Sequence, residues 1–368
     1  MTARPELGVA LVHYRTPELV RPALEALLAD VARAGARATI ALVDNGSDAA
    51  GRELWRGLPV ARIDPGANLG YAGGVRRAVA TLEAPLLIAM NPDVVVRPGC
   101  VARLLDELER GADAAGPRFE WDEAGRVLLP PTEERTRRAE LTAVFARRSA
   151  ARAAAARRRW RRHARRHWEA AAPFESRSLS GALLAFRRAA WAATGGFDEG
   201  YRLYFEETDW LERLHAARRR CVYVPAARAW HLYAQSSAVE PESAGWFAAA
   251  AARFRARRYG GAFAALLARL ERGAAASVDA AASLDATPAL DSPEIELDPA
   301  TRAPLWMELA ATPWGFPAAA ERLAEPTGRW SLPADAWRRL APGSYWLRAI
   351  DGRGEETLVR RLVRGERP

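Results

Sequence analysis

The first 120 residues alternate short apolar runs with amphipathic stretches, and this alternation constrains the fold more than any other feature. Gly8–Tyr14 and Ala38–Val43 read as buried strands, Val60–Ile63 as a weaker one and Leu86–Met90 as a further apolar strand. Between them, Glu18–Ala34 carries Leu19, Ala23, Leu24, Leu27, Leu28 and Val31 at helical spacing, after a Thr16-Pro17-Glu18 helix entry. Tyr71–Leu82 and Pro98–Arg110 read as two more helices. Strands separated by helices predict a parallel sheet with helices on both faces. Polar residues gather just past the strand ends: Asp44, Asn68, Asn91 and Asp93. In open α/β sheets ligands bind there.

Composition narrows the class. Of 368 residues, 49% are apolar and 27% charged, enough to bury a sizeable core and unlike a disordered chain. No window approaches ~18 consecutive apolar residues, so no spanning helix is expected. The stretch from Met1 to Tyr14 lacks the shape of a signal peptide. Two cysteines, Cys100 and Cys221, exclude a disulfide scaffold and suit a reducing compartment. These observations predict a cytoplasmic protein. All 54 basic residues are arginine, and twelve of them lie between Arg137 and Glu169 beside two acids. The net charge is +9, so this one segment holds the whole positive excess.

Beyond Ala112 the pattern loosens. Ala112–Phe119 and Ser178–Phe186 read as strands, Leu141–Trp168 as Ala/Arg-rich helix, Arg187–Thr194 and Tyr204–Arg219 as helices, and Cys221–Val224 and Ala229–His231 as short strands. Pro241–Arg272 is helical with a break at Gly260-Gly261. Residues 273–304, rich in Ala, Ser, Asp and Pro, read as a linker. Leu305–Leu309, Arg329–Leu332, Ser344–Ile350 and Glu356–Val363 then alternate as strands, with a hairpin turn at Asp351–Gly354. The predicted division is a domain over 1–272, a linker over 273–304 and a small sandwich-like β domain over 305–368. Within the first domain, the regularly alternating half over 1–120 precedes a less regular half over 121–272, with the Arg-rich insertion at 137–169.

Each polar cluster has two readings. Asp44-Asn45-Gly46-Ser47 is either a self-satisfied Asx-turn or a base and ribose contact. Asn68–Gly74 supplies glycines at a helix start, which can bring free N–H groups to an anion. Asn91-Pro92-Asp93 can cap a helix or hold a divalent cation through oxygen. Glu206, Glu207 and Asp209 crowd one helix start, either as a dipole-favoured first turn or as working carboxylates. Trp230-His231 ends a short strand, where a lone histidine is structural or a ligand.

Taken in order, VALVHY, LVDNGS, NLGYAGG, MNPDV, LSGALLAFRR, GGFDE, YFEETDWLER and AWH resemble the inverting family 2 glycosyltransferases of GT-A fold. The resemblance covers roughly residues 7–270 and lies with the rhamnosyl- and galactofuranosyltransferase-like branch. It implies an α/β nucleotide-diphospho-sugar transferase fold and transfer from a dTDP- or UDP-linked sugar to a glycan or lipid-linked acceptor in surface polysaccharide or glycolipid synthesis. By resemblance, Asp44, Asn45, Asn68, Gly70, Tyr71, Gly73, Gly74 and Asn91 line the donor pocket. Asp93 stands in the metal-binding acidic motif and His231 at a further metal-ligand position, with Mn²⁺ or Mg²⁺ implied. Glu207 falls on the catalytic base, with Glu206 and Asp209 beside it, and Gly181, Asp198 and Glu199 fall on the acceptor side. Asn91 replaces one metal-motif carboxylate, Glu207 replaces an Asp, and Val75 replaces an Asn. A sugar-binding relative without transfer activity is the competing reading.

The Arg-rich segment is either a solvated helix or a surface for anionic membrane headgroups, with Trp160 and Trp168 at the interface. A basic run alone supplies only the electrostatic part of nucleic-acid binding, so no nucleic acid is expected as partner. Trp306, Trp314, Trp330, Trp337, Tyr345 and Trp346 in the last domain fit a β core better than a sugar platform.

Overall fold

Alternate residues of the strand Leu7–His13 enter two different cores, and this period of two organises one half of the molecule. Leu7, Val9 and Leu11 pack with Val20, Leu24 and Leu27 of the helix Pro17–Arg33 and with Leu104, Leu105 and Leu108 of the helix Cys100–Glu109. Ala10 and Val12 pack on the opposite face with Ala72, Val75 and Val79 of the helix Gly70–Thr81 and with Trp210 and Leu211 of the helix Glu206–Ala216. The computed structural model describes residues 6–232, 242–275, 289–290, 292–298, 303–325 and 328–365. The chain forms two compact units: residues 1–119 with 169–258, and residues 120–168 with 259–368.

In the first unit, Leu7–His13 runs parallel to Ala38–Asp44 and to Leu86–Met90, and Ala38–Asp44 runs parallel to Ala61–Ile63. The sheet then changes character. Leu183–Arg187 pairs antiparallel with Leu86–Met90, and Ala114–Glu120 pairs antiparallel with Leu183–Arg187. The fold is the expected α/β class of GT-A type, but its sheet is mixed rather than parallel throughout. Parallel neighbours need a crossover of a dozen or more residues. The helices Pro17–Arg33 and Gly70–Thr81 supply such crossovers between the parallel strands. The two short strands expected near Cys221 and His231 are one strand, Cys221–His231, which pairs antiparallel with Val94–Val96 and with Phe174–Glu175. Both cysteines are buried, and neither forms a disulfide.

The second unit is built on an antiparallel sheet. Leu305–Ala310 pairs with Ala318–Leu323 and with Gly343–Ile350, which pairs in turn with Glu356–Arg364. Val127–Leu128 adds to the edge at Ala318–Leu323. The Arg-rich region forms two helices, Arg137–Ala146 and Ala150–Trp168, rather than the single stretch expected. Ser149 interrupts it: its hydroxyl accepts the N–H of Arg152 at 3.3 Å, a helix-start contact. Trp160, Ala164 and Trp168 are buried against Trp306, Ala310, Ala318, Ala320 and Ile350, and Trp168 stacks on Trp306 at 5.2 Å between ring centroids. The tryptophans expected at a membrane interface are therefore core residues. Their four-residue spacing groups 120–168 with the C-terminal strands, a different division from the boundary drawn at 272/273. Of the expected linker, Ala289–Leu290 and Glu294–Glu296 are short strands, while 276–288 lies outside the described residues.

Candidate active site

The three central strands of the first unit end side by side, with His13 in register with Asp44. Asp44 Oδ1 accepts the N–H groups of Ser47 at 2.8 Å and Gly46 at 3.2 Å, and Oδ2 accepts Arg52 Nε at 3.0 Å. Burial alone would raise its pKa. The hydrogen bonds from Ser47, Gly46 and Arg52 outweigh burial and hold the carboxyl below its usual range. Asp44 thus completes the self-satisfied turn and keeps its charge. Next to it, buried Asn45 donates from Nδ2 to the Gly70 carbonyl at 3.1 Å and accepts the Leu69 N–H at Oδ1 at 3.3 Å. That pair of bonds fixes the glycine-rich loop on the strand end.

The loop does not present an anion nest. The Gly70 N–H is taken by Asn68 Oδ1 at 2.8 Å, and the Tyr71 N–H by the Arg202 carbonyl at 2.9 Å. The glycines serve close packing instead. A Cβ on Gly70, whose φ is +71°, would stand 2.2 Å from the Arg202 carbonyl oxygen, and one on Gly74 would stand 2.6 Å from Val12 Cγ1. Gly73 is likewise buried in the helix. A small open cleft lies over this junction, lined by Tyr14, Asn45, Asn68, Tyr71, Asn91, Arg202 and Trp246.

Tyr71 joins the cleft to the acids. Its hydroxyl donates to the Gly181 carbonyl at 2.8 Å. Burial raises its pKa well above the usual range, and the negative fields of Glu206, Glu207 and Asp93 add to that. Gly181 lies directly under Glu207: a Cβ there would meet Glu207 Cβ and Cγ at 3.1 Å and Cδ at 3.3 Å. The neighbouring Glu206 is buried, and its Oε2 has no hydrogen-bond partner among the described residues. Burial first, and then the charge of Glu207, push the Glu206 pKa well above the usual carboxylate range. Of the two adjacent carboxyls, Glu206 is the buried one and Glu207 is only half-buried.

Asp93 and His231 are 138 positions apart in sequence and meet here, with His231 Nε2 3.3 Å from Asp93 Oδ1. The antiparallel pairing of Val94–Val96 with Cys221–His231 brings them together, and both are buried. Asn91 is half-buried, and its N–H donates to the Ala182 carbonyl at 2.9 Å. Among the described residues, no group of three or more His, Cys, Asp or Glu is placed to hold a metal. Asp93 and His231 are a pair of one carboxylate and one imidazole.

Three expected residues have other partners. Asp209 accepts Arg213 Nε at 2.9 Å and lies 3.5 Å from Arg257 Nε. Asp198 accepts Arg253 Nη2 at 2.9 Å and Arg257 Nη1 at 2.5 Å, and Glu199 accepts Arg76 Nε at 3.1 Å. Their ion pairs tie together elements of the first unit. Sequence reasoning did not find Tyr14, Arg202 or Trp246. Arg202 lies over the Trp246 ring at 4.5 Å, a contact between residues without a motif. Nor did it find the two consecutive left-handed residues, Tyr204 and Phe205, at φ of 70° and 68°. Neither is glycine, so the backbone immediately before Glu206 is strained, as is common where geometry serves a site.

Residues 9–175 match the family described as glycosyl transferase family 2. The N-acetylglucosaminyl-diphospho-decaprenol L-rhamnosyltransferase of Mycobacterium tuberculosis strain CDC 1551 / Oshkosh is 34% identical over 245 residues, covering 60% of this chain and 76% of that protein. The corresponding protein of strain ATCC 25618 / H37Rv matches to the same extent. Among solved structures, a mannosyltransferase from Pyrobaculum calidifontis in complex with GDP-Man and Mn²⁺ matches with a TM-score of 0.48 at 16% identity, covering 77% of this chain and 76% of that chain. At 34% identity across three-quarters of a rhamnosyltransferase, the chain belongs to glycosyl transferase family 2 and is a glycosyltransferase of its rhamnosyltransferase-like branch.

Proposed function

We propose that the protein transfers a sugar with inversion from a dTDP- or UDP-linked donor to a hydroxyl of a lipid-diphosphate-linked glycan, in surface polysaccharide or cell-wall synthesis. The observation that carries this reading is the position of Glu207 over Gly181, whose carbonyl holds Tyr71 at the donor cleft. The lipid-linked acceptor rests on the name of the mycobacterial relatives. The reaction belongs at the cytoplasmic face of a membrane, where nucleotide sugars and such acceptors meet.

In this reading Asp44, Asn45, Asn68 and Asn91 hold the nucleotide end of the donor at the strand edge. Glu207 takes the proton from the acceptor hydroxyl. The oxygen attacks the anomeric carbon as the bond to the diphosphate breaks, and the nucleoside diphosphate leaves with the electron pair. Attack opposite the leaving group inverts the anomeric centre. Glu206 keeps its proton and so leaves Glu207 as the single acceptor, a role worth about 10²–10⁴-fold in rate. Tyr71 orients the segment at Gly181 beneath the base. Asp93 and His231 are the residues that would hold Mn²⁺ or Mg²⁺. A cation bound there supplies charge stabilisation to the leaving diphosphate.

The test is transfer itself. Purified protein is incubated with dTDP- and UDP-linked sugars, Mn²⁺ and a polyprenyl-diphosphate N-acetylglucosamine acceptor in detergent, and the lipid product is analysed by mass spectrometry. A glycosylated lipid of inverted anomeric configuration is expected. Consumption of no donor, or a product that retains configuration, overturns the reading.

A further inference from the structure

The helix Ala150–Trp168 carries two chemically distinct faces of the same residue type. One face is sealed: Ala153, Ala156, Trp160, Arg161, Ala164, His167 and Trp168 are buried. On that side Arg161 Nε donates to both oxygens of Glu308, at 3.0 and 2.8 Å, and Arg161 Nη1 lies 2.9 Å from Glu356 Oε1. Arg157 pairs with Glu356 at 2.5 Å. These arginines are committed to the fold.

The opposite face is a row of exposed arginines, Arg152, Arg158, Arg162 and Arg166. At 3.6 residues per turn, Arg158, Arg162 and Arg166 fall within roughly 80° of helix circumference, with Arg152 about 40° further round. No acidic side chain pairs with Arg158 or Arg162 among the described residues. Of the two acids in the segment, Glu140 is buried and lies 3.6 Å from Arg135, and only Glu169 is exposed. The basic surface continues past the helix start. Arg147 and Arg148 are exposed, and Arg148 donates to the Leu270 carbonyl of the helix Gly261–Ala275, where Arg269, Arg272 and Leu266 are exposed.

We propose that this outward arginine row, Arg152-Arg158-Arg162-Arg166, is a docking surface for an anionic membrane. A planar array of lipid headgroups suits Arg158, Arg162 and Arg166, each about one helical turn from the next, with Arg152 toward the helix start, each guanidinium able to bind a phosphate oxygen. The choice of a membrane rests on the lipid-linked acceptor argued above. Because Trp160 and Trp168 are buried in the second unit, no aromatic anchor from this helix enters the bilayer. Attachment is then peripheral and electrostatic, sensitive to salt on the scale of the Debye length.

Vesicles of equal parts phosphatidylcholine and phosphatidylglycerol, compared with pure phosphatidylcholine, test the surface by co-sedimentation at low salt. The parent protein should bind the anionic vesicles and be released at high salt. Each arginine near an anionic surface strengthens partitioning roughly fivefold, so changing Arg152, Arg158, Arg162 and Arg166 to Gln should weaken it by about 100-fold or more. A control that changes the exposed Arg37, Arg56, Arg62 and Arg218 to Gln removes the same charge elsewhere and should weaken it only a few-fold. The melting profile of the first variant should match the parent, since its four positions are exposed. Equal losses in both variants, binding without preference for phosphatidylglycerol, or tighter binding to a single-stranded polynucleotide than to vesicles would each overturn the proposal. Transfer in detergent separates this proposal from the catalytic reading. If transfer persists while vesicle binding ignores the row, the docking surface fails alone. If vesicle binding follows the row in a protein without transfer, the catalytic reading fails alone.

Discussion

Replacing Gly181 by alanine moves one catalytic atom group by a small and calculable amount. The new Cβ would sit 3.1 Å from Glu207 Cβ and Cγ and 3.3 Å from Cδ. Carbon atoms rest at about 3.5–4.0 Å, so the Glu207 side chain must retreat by roughly half an ångström. Gly181 has no positive φ, and its carbonyl remains available to the Tyr71 hydroxyl. Overpacking of this kind costs about 1–3 kcal/mol in stability, small enough for the variant to fold. A misplacement of about 1 Å at a reacting group costs about 10²-fold in rate, so half of that predicts a fall in kcat of roughly tenfold. In the proposed reading the donor lies in the cleft lined by Tyr14, Asn45 and Asn68, so the donor KM should hold within about twofold. Steady-state kinetics on the folded variant decide the matter. An unchanged kcat would refute the placement of the base over Gly181, and a proportional rise in donor KM would move Glu207 into the nucleotide pocket.

Three other outcomes follow from the same structure. Burial lowers the His13 pKa from 6.5 to about 4, against the opposing pull of Asp44. Between those values the unfolded chain binds a proton that the folded chain refuses, so a stability term present above pH 6.5 is lost as the pH falls toward 4. That term amounts to about 3 kcal/mol, and urea titrations of the parent and a His13→Asn variant across this window should diverge by that order. Glu308→Leu leaves the buried Arg161 with Glu356 as its remaining carboxylate and should cost about 3 kcal/mol, whereas Arg161→Met with Glu308→Leu should restore part of it in calorimetry. Asp93→Ala and His231→Ala should each raise the Mn²⁺ concentration needed for half-maximal transfer by at least about tenfold, and equal dependence in all three proteins would remove this pair from the metal site.

The parts of the fold legible in the sequence are those with a regular period. Leu7, Val9 and Leu11 against Ala10 and Val12 announced a strand between two cores, and Pro17–Arg33 followed from its leucine spacing. Strand orientation was less legible, because pairing partners such as Leu86–Met90 and Leu183–Arg187 lie about 100 residues apart and no local signal links them. The polar residues Asp44, Asn45 and Asn91 stood out in the sequence because they follow apolar runs, and the structure places them at strand ends. Glu207 was ranked above Glu206 by resemblance, and burial separates the two carboxyls physically. The arginine-rich segment was legible on one face only. Its count suggested a solvated or membrane-bound face, while the spacing of Trp160, Ala164 and Trp168 held the stronger signal, a buried stripe that offsets the cost of burying Arg161. Arg202, Trp246 and the left-handed Tyr204-Phe205 pair had no sequence signal, since each owes its role to a tertiary contact or a backbone angle.

The most direct test of the central claim is the rate of sugar transfer by Glu207→Gln, measured beside its affinity for the donor nucleotide. The substitution keeps size and hydrogen-bonding reach and removes the ability to take a proton. The account predicts a fall in kcat of about 10² or more with nucleotide affinity unchanged. Transfer near the parental rate would contradict it, and would pass the base to another group at the cleft.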